Sequence, residues 1–287
     1  IRRPPRSTQS RSSAASDVYK RQAHNLSNAG MDISIFEGAA HSLVFESPAR
    51  VAEEIVANGL QHARAQGMRI LVAGAGAVGG LTAGLLALAG ERVTLLARPA
   101  QAHVIATDGL TIAMPEGERR VQGVEAITSA AAADKPDLVV LAVKSFATAD
   151  ALADLRPAVG QQAVFLSLQN GIENEARISA AYPSQPVWAG AICAYVTAAA
   201  PGRVFWLDDR GGLGLAPVKS AALNIGWGPE EMLRLWRSAG LDTFMALADG
   251  SAARLKWSKL MINVAFNAIN AATGLSAAAI LLSLIHI

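Results

Sequence analysis

Four polar side chains recur along an apolar stretch near the end of the chain. Asn263, Asn267 and Asn270 follow Lys259 at offsets of four, eight and eleven residues. In a helix that turns by about 100° per residue, these positions share about one third of the circumference. A polar stripe between apolar flanks lines either a substrate cleft or a ladder of hydrogen bonds between helices. The lysine favours a cleft, because a poorly solvated ammonium readily gives up the proton that ketone reduction requires.

This stripe needs a helix of about six turns to carry it. We expect that helix from Ser251 to about Ala272, with Ser251 as its cap and Gly274 as its stop.

A glycine-rich turn near Met68 is the strongest motif in the chain. The segment Gly74-Ala75-Gly76-Ala77-Val78-Gly79 follows the apolar run Arg69–Ala73 and precedes helical spacing from Leu81 to Leu88. A second apolar run, Val93–Leu96, completes a strand–helix–strand unit, which is the context that a dinucleotide-binding turn requires. We therefore predict that the diphosphate of a dinucleotide binds at the helix N-terminus. The predicted cofactor-binding residues of this turn are Gly74, Gly76, Ala77, Val78 and Gly79.

The residue after the second strand indicates which dinucleotide binds. Proteins that bind NAD usually carry a carboxylate there, which accepts a hydrogen bond from the ribose 2′-hydroxyl. Ala97-Arg98-Pro99 occupies this position instead. A guanidinium binds a 2′-phosphate through two parallel hydrogen bonds, so Arg98 favours NADPH. The alternative is an ordinary solvated arginine.

Two later apolar runs end in polar residues. We expect a buried strand from Pro136 to Lys144 and another from Ala163 to Leu168, the second followed by Gln169-Asn170-Gly171. Ligands of open α/β sheets bind at the carboxyl ends of the strands, so Lys144 and Asn170 should face one crevice. Either residue could instead serve only in a turn.

These elements predict an α/β protein with a Rossmann-type doubly wound sheet, followed by the start of an all-helical domain. With 52% hydrophobic and 17% charged residues, the chain can bury a core, and a net charge of +2 does not indicate a nucleic-acid partner. Its single cysteine, Cys193, fits a reducing cytoplasm, and we expect it to be a small core residue. We expect no signal peptide, no membrane span and no metal site.

The two ends of the chain have an unusual relationship. Asp17–Gln22 and Leu282–Ile287 can be encoded by DNA words that are reverse complements of each other, and the word resembles a transposon end used in sequencing libraries. We therefore interpret residues 1–22 and 282–287 as translated adaptor rather than as protein. The alternative for residues 1–22 is a natural basic, disordered arm.

Residues 23–67 form a separate predicted unit. A short alternating run, a loop containing His41 and the helical spacing from Val51 to Ala65 resemble the C-terminal part of α/β-hydrolases. No nucleophile motif and no acidic partner accompany His41, so we expect no acyl-transfer chemistry. The alternatives are the end of an upstream gene read in frame and a native extension of the following domain.

Residues from about Met68 to Leu281 resemble the ketopantoate reductase (2-dehydropantoate 2-reductase) family. The matching motifs are Gly74–Gly79, Val143-Lys144, Leu168–Gly171, Lys256–Asn263, Asn267 and Ala271–Gly274. The resemblance implies that NADPH passes hydride to the 2-oxo carbon of ketopantoate, giving pantoate for coenzyme A synthesis. It also implies that Lys259 is the general acid, that Asn263 and Asn267 hold the substrate, and that Asn170 lies near substrate and nicotinamide.

The same resemblance assigns Lys144 to the nicotinamide ribose and Arg98 to the 2′-phosphate, and it allows a homodimer for a full-length member. We expect a nucleotide-binding domain over residues 68–246 and the start of a helical domain over residues 247–281. The family continues through helices that carry further substrate-binding residues, so we expect this chain to be truncated, with the apolar faces of residues 252–281 exposed. The alternatives are a reductase of another 2-oxo acid and an inactive dinucleotide-binding fragment.

Overall fold

The computed structural model describes residues 67–207, 211–218, 228–248 and 250–275. The predicted hydrolase-like segment with His41, both adaptor-like peptides and residues 276–281 lie outside the described residues. All elements named below belong to one compact unit within residues 67–287.

Twelve strands are present in the described ranges. They are β1 (Arg69–Ala73), β2 (Arg92–Leu96), β3 (Leu110–Met114), β4 (Gly117–Val121), β5 (Glu125–Ile127), β6 (Leu138–Leu141), β7 (Val164–Ser167), β8 (Val187–Cys193), β9 (Val196–Ala200), β10 (Arg203–Trp206), β11 (Gly212–Pro217) and β12 (Asp242–Met245).

Six α-helices accompany these strands in the described ranges. They are α1 (Ala77–Leu88), α2 (Pro99–Asp108), α3 (Thr148–Asp154), α4 (Asn174–Ala181), α5 (Pro229–Ser238) and α6 (Ser251–Thr273). Short 3-10 turns cover Ala130–Ala132 and Ser145–Ala147.

The main sheet has eight strands in the order β12-β11-β8-β7-β6-β1-β2-β5. From β1 the chain builds outward through β2 to β5, then returns to the other side of β1 and builds outward again through β6, β7 and β8. The six neighbouring strands β5, β2, β1, β6, β7 and β8 pair in parallel, whereas β11 pairs antiparallel with β8. The reversal between β1 and β6 is a topological switch point, where open α/β sheets bind ligands. The predicted Rossmann-type sheet is thus confirmed.

Both faces of the main sheet are covered, which explains why its central strands are almost continuously apolar. Alternate residues of β1 enter different cores: Ile70 and Val72 pack with α1 and α5, whereas Leu71 and Ala73 pack with residues of α3 and α4. In the second core, Tyr182 is buried, and its hydroxyl donates a hydrogen bond to the Leu152 carbonyl at 2.8 Å. That burial raises the pKa of Tyr182 above its usual value, against an opposing effect of the Arg156 charge.

A second sheet, with the order β4-β3-β10-β9, packs on α1. The sequence analysis did not predict it. The surface of α1 that faces this sheet carries Gly80 and Gly84, one helical turn apart. A Cβ at Gly80 would lie 2.8 Å from Val204 Cγ1, and one at Gly84 would lie 2.6 Å from Ile112 Cδ1. Glycine at these two positions allows the helix and the sheet to approach closely.

Helix α6 follows the main sheet and packs on β8 and β11 through its first turns. It begins at Ser251, with Gly250 at φ 72° as the N-cap, and ends at Thr273 before Gly274 at φ 68°. The expected end is confirmed, but the expected cap was wrong by one residue, because Gly250 adopts the left-handed conformation that turns the chain into the helix.

Much of the later surface of α6 is apolar and exposed, including Trp257, Met261, Ile262 and Val264. This confirms the expected exposure for the described members of that face. None of the helices in the described ranges, α6 included, is long and apolar enough to cross a membrane.

Replacing Gly79 by alanine should destabilise the fold. A Cβ at this position would lie 1.8 Å from the Gly74 carbonyl oxygen, so α1 would have to move away from the turn. Overpacking of this kind costs about 1–3 kcal/mol. Denaturant unfolding of Gly79→Ala should show this loss. Gly160→Ala is the control, because a Cβ there meets no atom within 4 Å, and it should unfold like the parent. Equal stability of all three proteins would contradict the packing described for this turn.

Candidate active site

The glycine turn lies at the switch point, against the loop that follows β6. Gly74 has a φ of 112°, and a Cβ there would lie 2.9 Å from the Val143 backbone nitrogen. The turn therefore needs glycine both for its backbone conformation and for this close approach. Gly76 differs, because a Cβ on it would meet nothing within 4 Å. The open side of the turn leaves room for a ligand against the backbone.

The N-terminus of α1 faces the same opening. Gly76 is its N-cap, so no side chain caps the first turn, and that turn contains no acidic residue. The first backbone N–H groups of a helix have no partner within the helix and carry a partial positive charge. The turn therefore has the features of a diphosphate site, with Ala77, Val78 and Gly79 supplying the first amides.

Arg98 is exposed and forms the N-cap of α2, two residues after β2 ends. Three residues further on, the Gln101 side-chain amide donates a hydrogen bond to the Ala75 carbonyl at 2.9 Å. This contact ties α2 to the glycine turn. Sequence reasoning missed Gln101, although its place in the first turn of the helix after Arg98 and Pro99 was a usable signal.

Lys144 and Asn170 occupy equivalent places on neighbouring strands. Leu141 of β6 pairs in register with Ser167 of β7, and each polar residue follows three positions later. The predicted strand to Lys144 was too long, because β6 ends at Leu141 and Lys144 is the N-cap of the 3-10 turn that follows. The two loops are joined by a hydrogen bond from the Ser145 hydroxyl to the Asn170 carbonyl at 2.8 Å.

A buried polar network fixes the backbone beneath these two loops. The Gln169 amide nitrogen donates to the Val143 carbonyl at 3.0 Å and to the Thr148 hydroxyl at 2.8 Å. The Asn174 amide nitrogen donates to the Asn170 carbonyl at 2.9 Å. Because these side chains lie in the protein interior or at its margin, their hydrogen bonds hold the exposed Asn170 side chain at a defined place on the edge.

Helix α6 brings its polar stripe to this edge. The Asn263 amide nitrogen donates to the Asn170 side-chain oxygen at 3.3 Å. One turn earlier, the Lys259 ammonium lies 3.8 Å from the Cys193 sulfur at the end of β8. Asn267 is exposed one turn beyond Asn263, and the structure brings it to none of the loops just described. Of the predicted stripe, Lys259 and Asn263 therefore reach the sheet edge.

Two residues beside the stripe differ from expectation. Cys193 is exposed, so the prediction of a small core residue was wrong: it stands at the last position of β8, where the strand leaves the core. Lys256, which the sequence offered only as part of a motif, is buried and forms an ion pair with Glu175 at 3.0 Å. Its partner is distant in the sequence, so no local pattern could have indicated that burial.

A parallel sheet with a glycine turn at its switch point defines a Rossmann-type nucleotide-binding protein. The family model described as ketopantoate reductase PanE/ApbA matches residues 70–219. The chain belongs to this family. Membership implies a nicotinamide dinucleotide cofactor, and the open glycine turn and uncapped helix fit the diphosphate of such a group.

Known relatives agree with this assignment. A 2-dehydropantoate 2-reductase from Pyrococcus horikoshii is 34% identical over 204 residues, which cover 71% of this chain and 64% of the relative. One from Halobacterium salinarum is 31% identical, over 71% of this chain and 65% of the relative. The crystal structure of a PanE/ApbA family ketopantoate reductase from Ralstonia eutropha matches with a TM-score of 0.62 at 33% identity, covering 72% of this chain and 65% of that one. The chain thus spans about two thirds of the length of these proteins.

Replacing Gly76 by alanine should weaken dinucleotide binding while leaving the fold intact. The added methyl group would project into the open side of the turn, where the diphosphate would lie. We expect at least about tenfold weaker binding of NADPH, which corresponds to about 1.4 kcal/mol. Fluorescence titration with NADPH measures this loss. Alanine at Gly160, another glycine whose added Cβ would meet nothing within 4 Å, is the control. Unchanged binding to Gly76→Ala would exclude this turn as the phosphate site.

Proposed function

We propose that this chain carries the NADPH site and the proton-donating helix of a reductase that converts 2-dehydropantoate (ketopantoate) to pantoate, a step of pantothenate and coenzyme A biosynthesis. One observation carries the proposal: Asn263 of α6 contacts Asn170 at the same sheet edge that holds the glycine turn. The connection is continuous, because Gly74 packs against Val143, and Ser145 in that same loop bonds to Asn170. Membership of the family and the relatives' names support the substrate.

The cofactor would be held by groups on three loops. The glycine turn and the first amides of α1 would bind the diphosphate, and Arg98 would bind the ribose 2′-phosphate. Lys144 and Asn170 would face the nicotinamide half. When bound, the dinucleotide supplies the hydride.

The substrate would meet the side chains of α6. The amides of Asn263 and Asn267 would orient the 2-oxo acid, and the Lys259 ammonium would donate a proton to the ketone oxygen as negative charge develops there. Among the described residues, the hydrogen-bond partner of this ammonium is the Cys193 sulfur, at 3.8 Å. Sulfur is a weak acceptor, so a ketone oxygen could replace it at little cost.

We also propose a cytoplasmic location and a homodimer for a full-length member. Both follow from the resemblance to this family.

Replacing Arg98 by alanine should lower the preference for NADPH over NADH. Losing two charge-assisted hydrogen bonds to the 2′-phosphate should weaken NADPH binding by about 10- to 100-fold, whereas NADH has no such phosphate and should bind within about twofold of the parent. Calorimetric titration of both dinucleotides measures the difference. Arg119→Ala, on exposed strand β4, is the matched control. If Arg98→Ala bound both dinucleotides as the parent does, Arg98 would be an ordinary surface arginine.

Replacing Lys259 by methionine should remove the proton donor without removing the dinucleotide site. We expect kcat for NADPH oxidation with 2-dehydropantoate to fall by about 100-fold or more, while the Kd for NADPH stays within about twofold. Absorbance at 340 nm follows the reaction. Lys135→Met, on the exposed loop before β6 at the opposite end of the strands, is the matched control and should keep full turnover.

The same assay separates the competing functions. Turnover with another 2-oxo acid and none with 2-dehydropantoate would identify a related reductase. Tight NADPH binding with no turnover on either class of substrate would identify a dinucleotide-binding module instead.

A further inference from the structure

Among the four lysines that the described ranges contain, Lys256 is the buried one. Its ammonium lies 3.0 Å from the Glu175 carboxylate, 2.5 Å from the Gln169 carbonyl oxygen and 3.3 Å from the Gly190 carbonyl oxygen. The side chains of Lys256 and Glu175 are 5% and 7% exposed. A buried ammonium needs hydrogen-bond acceptors and a balancing charge. Here the two carbonyl oxygens accept hydrogen bonds from it, and the Glu175 carboxylate balances its charge.

The three acceptors belong to three different elements. Glu175 is in the first turn of α4, Gln169 follows β7, and Gly190 is in the middle of β8. Lys256 therefore joins α6 to the part of the sheet edge from which Asn170 projects. Its shortest contact is to the carbonyl of the residue directly before Asn170.

Lys256 lies on nearly the same face of α6 as the polar residues that reach the sheet edge. Asn263 lies seven residues later, which is two helical turns on nearly the same face, and Lys259 lies one turn later beside that face. Rotation of α6 about its axis would move Asn263 away from Asn170 and Lys259 away from the end of β8. The hydrogen bonds from Lys256 to the backbone carbonyls of Gln169 and Gly190 oppose that rotation near the start of the helix.

We propose that Lys256 is a positioning residue for the reductase chemistry, fixing the rotation of α6 so that Lys259 and Asn263 face the sheet edge. This inference rests on the proposed function. Glu175 has the separate task of neutralising the buried charge, whereas the two carbonyl contacts hold the helix in place.

The two tasks can be separated by mutation. Lys256→Met alone would leave a buried, unpaired carboxylate and would lower stability whatever the role of the lysine. The double variant Lys256→Met/Glu175→Gln removes both charges together, and replacing a buried pair by neutral groups is often close to neutral for stability. It still lacks the bonds to Gln169 and Gly190. Lys256→Arg keeps the charge and can donate to the same acceptors.

The decisive experiment compares the parent, the double variant and Lys256→Arg. We measure the thermal unfolding midpoint, the Kd for NADPH, kcat with 2-dehydropantoate, and hydrogen exchange of the α6 backbone amides. The double variant should unfold near the parent's midpoint and bind NADPH within about twofold. Its kcat should fall by about tenfold or more, since small misplacement of a catalytic group has large effects on rate. Its α6 amides should exchange faster, and Lys256→Arg should recover part of both properties.

Parental turnover together with parental exchange in the double variant would overturn the proposal, because the ion pair would then be structural only. If the parent chain itself turned over no 2-oxo acid, the proposed function would fail, but the exchange measurement would still decide the anchoring role. Unchanged protection of α6 in the double variant would then reject it.

Discussion

The candidate site depends on a close backbone contact between two loops, where Gly74 leaves no room for a side chain. At the switch point the turn after β1 lies against the loop after β6, and a Cβ on Gly74 would collide with the Val143 backbone. That closeness brings the open N-terminus of α1 beside the loop of Lys144. Hydrogen bonds then extend the same edge to Asn170. A ligand at the glycine turn would therefore lie next to the polar residues of the two neighbouring strands.

Helix α6 packs on β8 and β11, beside the parallel part of the main sheet. A buried ammonium anchors it to this edge. The contacts of Lys256 with Glu175 and two carbonyls join the helix to the core. Beyond its first turns, α6 has a largely exposed apolar surface. In the proposed arrangement, this anchor fixes the rotation of the helix at Lys259 and Asn263.

The strongly patterned parts of this structure could be predicted from the sequence. The bounds of β1, the position of the glycine turn and the end of α6 before Gly274 each follow from local chemistry: an apolar run, a strained turn and a helix stop. The shared edge of Lys144 and Asn170 also follows, because parallel strands present their carboxyl ends together. The sequence did not show that Lys144 and Asn170 each lie three residues beyond the end of their strand. The apolar run before Lys144 continues past Leu141, the last residue of β6 that pairs with β7. The second sheet was missed because it pairs β3 with β10, which are far apart in the sequence. The burial of Lys256 was missed for the same reason, because its acceptors lie on other elements.

A crystal structure of this chain with NADP+ bound would show whether the glycine turn and α6 form one site. We expect the diphosphate to lie against Gly76 and the first amides of α1, with Arg98 on the 2′-phosphate. The nicotinamide should lie at the edge between Asn170 and the ammonium of Lys259. A dinucleotide bound elsewhere, or a nicotinamide on the side of the sheet away from α6, would show that the glycine turn and α6 do not form one site.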